Sequence, residues 1–122
     1  MALTVPIPPG ARLRITVTFS AANENAVAIT NQADGEVIKG FNNYFGGGGV
    51  WDSGLNRSSA PTLLLLSGSH KNTPPDGSEP WHPSPERILY TDALHMTTII
   101  GYEDATDMDF NDARAVLQYS YV

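Results

Sequence analysis

Alternation of apolar and polar side chains begins at Arg12 and sets the character of the chain. Leu13, Ile15, Val17 and Phe19 face one way and Arg12, Arg14, Thr16 and Thr18 the other. This two-residue period, rich in β-branched side chains, predicts a half-buried strand. The same period returns over residues 26–30, with Val27 and Ile29 inward. It returns again at the C-terminal end, where Ala113, Ala115, Leu117, Tyr119 and Tyr121 alternate with Arg114, Val116, Gln118 and Ser120. Asp34-Gly35 is a hairpin signal, and residues 36–41 make a plausible returning strand.

The breakers lie between these segments. Pro6, Pro8 and Pro9 forbid a helix at the start and confine residues 4–9 to an edge or a lead-in. Residues 42–60 are loop-rich and contain four consecutive glycines, Gly46 to Gly49, which suit a flexible tip or a close backbone approach. No Lys-Ser/Thr pair and no helix follow them, so a phosphate cradle is a poor fit. Leu63, Leu64, Leu65 and Leu66 form an apolar run too short for a helix, which predicts a fully buried strand. Residues 68–85 hold five prolines among Gly, Ser and Asn and predict a long surface loop, with Trp81 more suited to pinning that loop than to stacking on a ligand. His70, His82 and His95 lack the spacing of a metal or catalytic set, which suits surface or packing histidines. Residues 87–90 and 95–101 are strand-like around a turn near Thr91 and Asp92. No segment has helical periodicity with caps. The fold class that follows is all-β: an antiparallel β-sandwich of about nine short strands, Greek-key-like, in a single domain over residues 1–122.

Composition narrows the function. A chain of 122 residues can bury one sizeable core. Net charge is -6 with no basic cluster, a poor match to nucleic acid or to an anionic membrane. There is no Cys, so thiol nucleophiles, disulfides and thiolate metal sites are excluded. Residues 1–9 lack the basic and apolar regions of a signal peptide, and the leucine run is far too short to span a bilayer. The expectation is a soluble protein, cytoplasmic or exported by a non-classical route.

The acidity is local. Five of the chain's 13 acids stand in residues 103–112, leaving eight elsewhere against seven Lys and Arg. That stretch brings six oxygen-bearing side chains together: Glu103, Asp104, Asp107, Asp109, Asn111 and Asp112. Carboxylates this dense raise one another's pKa unless a cation sits between them, and calcium, which takes many oxygen ligands, suits the set best. An EF-hand begun at Asp107 fails, because its sixth position is Asp112 rather than Gly and its twelfth is Gln118 rather than Glu. The loop instead lies between two strands, with enough carboxylates for two ions.

Residues 101–113, Gly101-Tyr-Glu-Asp-Ala-Thr-Asp-Met-Asp-Phe-Asn-Asp-Ala113, resemble the signature of the bacterial two-calcium fucose/mannose-binding lectin family, typified by the Pseudomonas fucose-binding lectin II. Residues 7–13 with the strand after them, and residues 86–101, are similar to the family's opening strand and to the strand pair before its calcium loop. Residues 40–85 carry little of the likeness. The resemblance implies two calcium ions that bind sugar hydroxyls directly. Glu103, Asp107, Asp109 and Asp112 would ligate the first ion. Asp109, Asn111 and Asp112 would ligate the second, with the Val122 carboxylate of a partner chain. Asp104 would accept a hydrogen bond from a sugar hydroxyl, with Asp107 also at the sugar. The loop over residues 20–25 would add a metal ligand, from Ser20 or Ala21 through a backbone carbonyl or from Asn23 through its side chain. Ala22 and Asn23 would face the sugar and tune its identity. This loop departs from the family's small hydroxyl-Gly sequence, and Val122 stands where the family ends in Gly.

Two adjacent calcium ions bridged by vicinal hydroxyls make charge-assisted contacts that select hydroxyl stereochemistry. The expected function is therefore a calcium-dependent lectin for fucose- or mannose-type glycans, a homodimer or higher homo-oligomer, and not an enzyme. The alternative is a β-domain in which calcium only stiffens the loop, as in an adhesin-like module. A glycosidase with paired carboxylates fits less well, since carboxylates held as metal ligands leave no proton donor.

Overall fold

A computed structural model describes residues 2–104 and 112–121. Ten strands run in chain order: β1 Ala2–Ile7, β2 Ala11–Phe19, β3 Asn25–Asn31, β4 Val37–Asn42, β5 Gly49–Leu55, β6 Thr62–His70, β7 His82–Pro83, β8 Glu86–Asp92, β9 Thr97–Tyr102 and β10 Ala113–Tyr121. One sheet has the order β1-β6-β3-β4 with β7 also on β6; the other is β5-β2-β10-β9-β8. Every pairing between these strands is antiparallel. The chain crosses between the sheets after β1, β2, β4, β5 and β7, so the all-β sandwich expected from the alternation is the fold. No helix among the described residues is long and apolar enough to cross a membrane.

Inward-facing residues of both sheets make the core. Leu13, Ile15 and Val17 of β2 meet Val27 and Ile29 of β3, Leu64 and Leu66 of β6, Ile100 and Tyr102 of β9, and Ala115 and Leu117 of β10. Burial of such side chains contributes roughly 1.5–3 kcal/mol each and is what holds the two sheets face to face. The prolines of the opening segment are accommodated as expected, because β1 lies at the rim of its sheet, where a missing N–H costs no ladder bond.

Three expectations are corrected. The leucine run is not buried throughout: Leu64 and Leu66 face the core, while Leu63 is 42% exposed and Leu65 only half-buried. In an antiparallel sandwich only one face of a strand meets the other sheet, so four consecutive leucines cannot all be inside. Residues 42–60 are not all loop, since β5 pairs with β2 and edges the second sheet. The proline-rich stretch starts later and is shorter, since β6 runs on to His70 and β7 pairs with its end, next to where β1 begins.

Both readings of the glycine run are realised, at different residues. Gly46 and Gly47 have φ of 92° and 71°, as a tight tip requires, whereas a Cβ at Gly48 would stand 2.2 Å from the Val17 carbonyl oxygen. Gly68 is the more consequential glycine. A Cβ there would stand 2.4 Å from the ring of Tyr102, which is fully buried and has no room to yield. Gly68→Ala is expected to cost about 1–3 kcal/mol through overpacking, read as a lower urea midpoint with an unchanged m-value.

Candidate functional site

The pairing of β2 with β10 places the site. Phe19 at the end of β2 lies opposite Ala113 at the start of β10, so Ser20 and Asp112, the residues next to that pair, lie side by side at one end of the sandwich. The Ser20 N–H donates to the Asp112 carbonyl at 3.0 Å and ties the two segments together. β9 delivers Glu103 and Asp104 to the same place, because Tyr102 also pairs with Ala113.

Glu103, Asp104 and Asp112 converge there, with one carboxylate oxygen of each within 4.8 Å of the others. Glu103 is 1% exposed and Asp112 is 9% exposed. The Asp104 N–H donates to Asp112 Oδ2 at 3.0 Å. Burial, followed by the Glu103 carboxyl beside it, pushes Asp112 up to about 8, and the Asp104 carboxylate adds to the effect. Buried acids forced together in this way are costly, and a divalent cation between them converts that cost into ligation. The donor set is all oxygen and negatively charged, which fits calcium by chemistry and charge. Asp107, Asp109, Asn111 and Val122, which the resemblance implies as further ligands, lie outside the described residues.

The loop at 20–25 is held in shape by its neighbours. Asn25, almost fully buried, donates from Nδ2 to Asp104 Oδ2 at 2.7 Å and to the Asn23 carbonyl at 3.1 Å. Asn43 accepts the Asn25 N–H at Oδ1, 2.8 Å away, and donates from Nδ2 to the carbonyls of Asn23 at 2.8 Å and Ala21 at 3.3 Å. The Tyr44 hydroxyl donates to the Ala22 carbonyl. A carbonyl oxygen has two lone pairs, so Ala21, which accepts once, keeps acceptor capacity, whereas the Asn23 carbonyl already accepts twice. Ser20, Ala22, Asn23 and Asp104 are thus brought to one rim together with Glu103 and Asp112.

An ion pair anchors the loop through its own Glu24. Glu24, buried, has its Oε1 3.3 Å from Lys71 Nζ, and Asn42 Nδ2 donates to its Oε2 at 2.6 Å. Backbone bonds continue the clamp: Glu24 N–H to the Thr73 carbonyl at 2.9 Å, and Lys71 N–H to the Glu24 carbonyl at 2.9 Å. Lys71 Nζ donates to the Asp76 carbonyl at 3.0 Å and stands 5.0 Å from the centre of the Trp81 ring. Trp81 thus pins the proline-rich segment through a cation–π contact, and that segment buttresses the loop from below.

His70 and His82 are closer than their spacing suggests, with ring centres 5.6 Å apart. His70 Nδ1 lies 2.8 Å from the hydroxyl of fully buried Ser84, and burial, with His82 nearby, keeps the imidazole below its ordinary pKa. This is a packing role. A shallow groove of about 360 Å3 lined by Pro6, Pro8, Met96 and Tyr119 lies toward the other end of β10, with Tyr119 about 23 Å of strand from Asp112. It is mainly apolar, with Asp92 the acid among its lining residues, and it lacks the converging carboxylates.

Three solved structures match over nearly the whole chain. The Chromobacterium violaceum lectin CV2L, in complex with alpha-methyl-fucoside, is 19% identical with a TM-score of 0.66, over 98% of this chain and 96% of its own. The C-terminal domain of the BC2L-C lectin from Burkholderia cenocepacia is 22% identical with a TM-score of 0.65, over 98% and 95%. The Ralstonia solanacearum high-affinity mannose-binding lectin is 22% identical with a TM-score of 0.65, over 98% and 96%. The chain has the fold of bacterial lectins. No protein-family model matches it, and no curated protein does.

Sequence reasoning had found the acids and the loop at 20–25 but not what holds them. Asn25 was the last residue of that loop, and its role needed Asp104 beside it. Asn43 is seen only as one of two adjacent asparagines in a loop-rich stretch. Glu24 and Lys71 are 47 positions apart and become partners only when β3 and β6 pair.

Proposed function

We propose that this protein is a calcium-dependent lectin that binds fucose- or mannose-type sugars through two bridging calcium ions, as a binder and not an enzyme. One observation carries the reading: Glu103, Asp104 and Asp112 meet the loop at 20–25 at one end of a sandwich whose fold is that of lectins. Glu103, Asp107, Asp109 and Asp112 hold one ion, and Asp109, Asn111 and Asp112 the other. When bound, the ions supply direct coordination of sugar hydroxyls. Asp104, steadied at Oδ2 by Asn25, accepts from a further hydroxyl, and the rim at Ser20, Ala22 and Asn23 sets the sugar's orientation. The neighbours' sugars, alpha-methyl-fucoside for one and mannose for another, support the substrate class.

The protein is at least a dimer in this reading. The Val122 carboxylate of a partner chain completes the site in that reading, in keeping with Tyr121 at the far end of β10, about 30 Å of strand from Asp112.

The deep burial of Glu103 and Asp112 favours a second reading, in which the ion only stiffens the loop. Retention on mannose- and fucose-bearing resins in calcium, followed by chelator, separates the two. Retention released by the chelator is the expected result. Passage through both resins, with a melting temperature that still rises in calcium, would leave the stiffening role alone.

A further inference from the structure

Two aromatic side chains follow Asn43, and neither ring has a role in the site described above, where only the Tyr44 hydroxyl takes part. Tyr44 is 46% exposed and Phe45 is 67% exposed, an unusual pair for one short loop. That loop is shaped by its own bonds: Asn42 Oδ1 accepts the Tyr44 N–H at 2.9 Å, and the Asn42 carbonyl accepts the N–H groups of Phe45 at 3.2 Å and Gly47 at 2.8 Å. It is fastened to the sugar-facing loop through the Tyr44 hydroxyl on the Ala22 carbonyl and through Asn43 on Ala21, Asn23 and Asn25. Asn25 in turn holds Asp104. Phe45 is two residues past Asn43, at most about 7 Å of chain.

An exposed ring of this kind, on a loop bonded to the rim, matches the chemistry of a pyranose. The sugar's C–H face is apolar and packs flat on an aromatic ring, while its hydroxyls turn outward to polar neighbours. The surrounding loop is preorganised by hydrogen bonds, so docking a ring orders little that was mobile. We propose that Tyr44 and Phe45 form a stacking subsite for the second sugar residue of an oligosaccharide whose terminal residue occupies the calcium site. The subsite rests on the lectin reading, and it makes the preferred ligand an oligosaccharide rather than a monosaccharide.

The test compares Phe45→Ala, Phe45→Tyr and the unaltered protein by calorimetry in calcium. The ligands are methyl α-fucoside, methyl α-mannoside, a mannotriose and a fucosylated trisaccharide. Phe45 is exposed, so its truncation leaves the core untouched. The expected result is that Phe45→Ala weakens the better trisaccharide about 5-fold, leaves the monosaccharides unchanged, and is rescued by Phe45→Tyr. Equal affinity of Phe45→Ala and the unaltered protein for both trisaccharides would overturn the subsite while leaving the lectin reading intact. So would an equal loss for mono- and trisaccharide, or a change of oligomeric state on size exclusion, which would make the rings a contact between copies. No binding of any of the four sugars by the unaltered protein would overturn the lectin reading itself, and the subsite with it.

Discussion

Lys71→Met is expected to lower stability by about 3–5 kcal/mol and to abolish retention on sugar resins at ordinary temperatures. The substitution keeps an apolar stem of similar length but removes the ammonium 3.3 Å from Glu24. Glu24 is a buried residue of the loop at 20–25, and breaking one side of a buried ion pair strands the other charge in low dielectric. The loss reaches further than the pair. Lys71 also holds the Asp76 carbonyl and the Trp81 ring, so the proline-rich segment loses its pin and the loop above loses its support. Urea denaturation measures the first effect. The double variant Glu24→Gln with Lys71→Met should recover much of it, since no charge is then left unpaired. A single-variant cost below about 1 kcal/mol would show the clamp to be a solvated surface pair.

Asp112 should give the protein an inverted pH dependence in the absence of calcium. Its carboxyl is pushed from 3.8 to about 8 in the fold, by burial first and by Glu103 next. Between those two values the folded chain keeps a proton that the unfolded chain has released, so stability falls as pH rises through the window. In chelator the melting temperature is therefore expected to drop by about 5–10 °C between pH 5 and pH 8. Calcium takes the place of the proton and should remove the drop, because ligation favours the ionised carboxylate. Asp112→Asn keeps an acceptor for the Asp104 N–H but carries no charge. It should flatten the profile in chelator, raise the melting temperature at pH 8, and lose both the calcium response and sugar binding. A melting temperature in chelator that is flat or rises over that range would remove the carboxylate crowding on which the calcium site rests.

The fold class was legible because its signal is local. A period of two in β2, β3 and β10, with Asp34-Gly35 between β3 and β4, is the pattern of a sheet with one dry face. The same locality misled at residues 63–66, where four leucines in sequence hide the fact that a strand's neighbours point opposite ways. The two-residue strand β7 gave no such signal, since Pro83 is a poor strand former. β5 gave only Val50 and Trp51 as anchors of a return strand among Gly49, Asp52 and Gly54. Both are extended because β6 and β2 offer them a partner.

By itself the sequence determined the alternating strands and the crowding of acids over residues 103–112, since charge density and side-chain period are properties of neighbours along the chain. The tertiary structure alone decided which loop meets those acids and what supports it. Register between β2 and β10 sets Ser20 against Asp112, the pairing of β3 with β6 sets Glu24 beside Lys71, and Asn43 and Tyr44 close over a loop about 20 positions upstream. Each of these contacts joins segments that no local pattern connects, and each exists because burying one continuous core forces those strands to lie side by side.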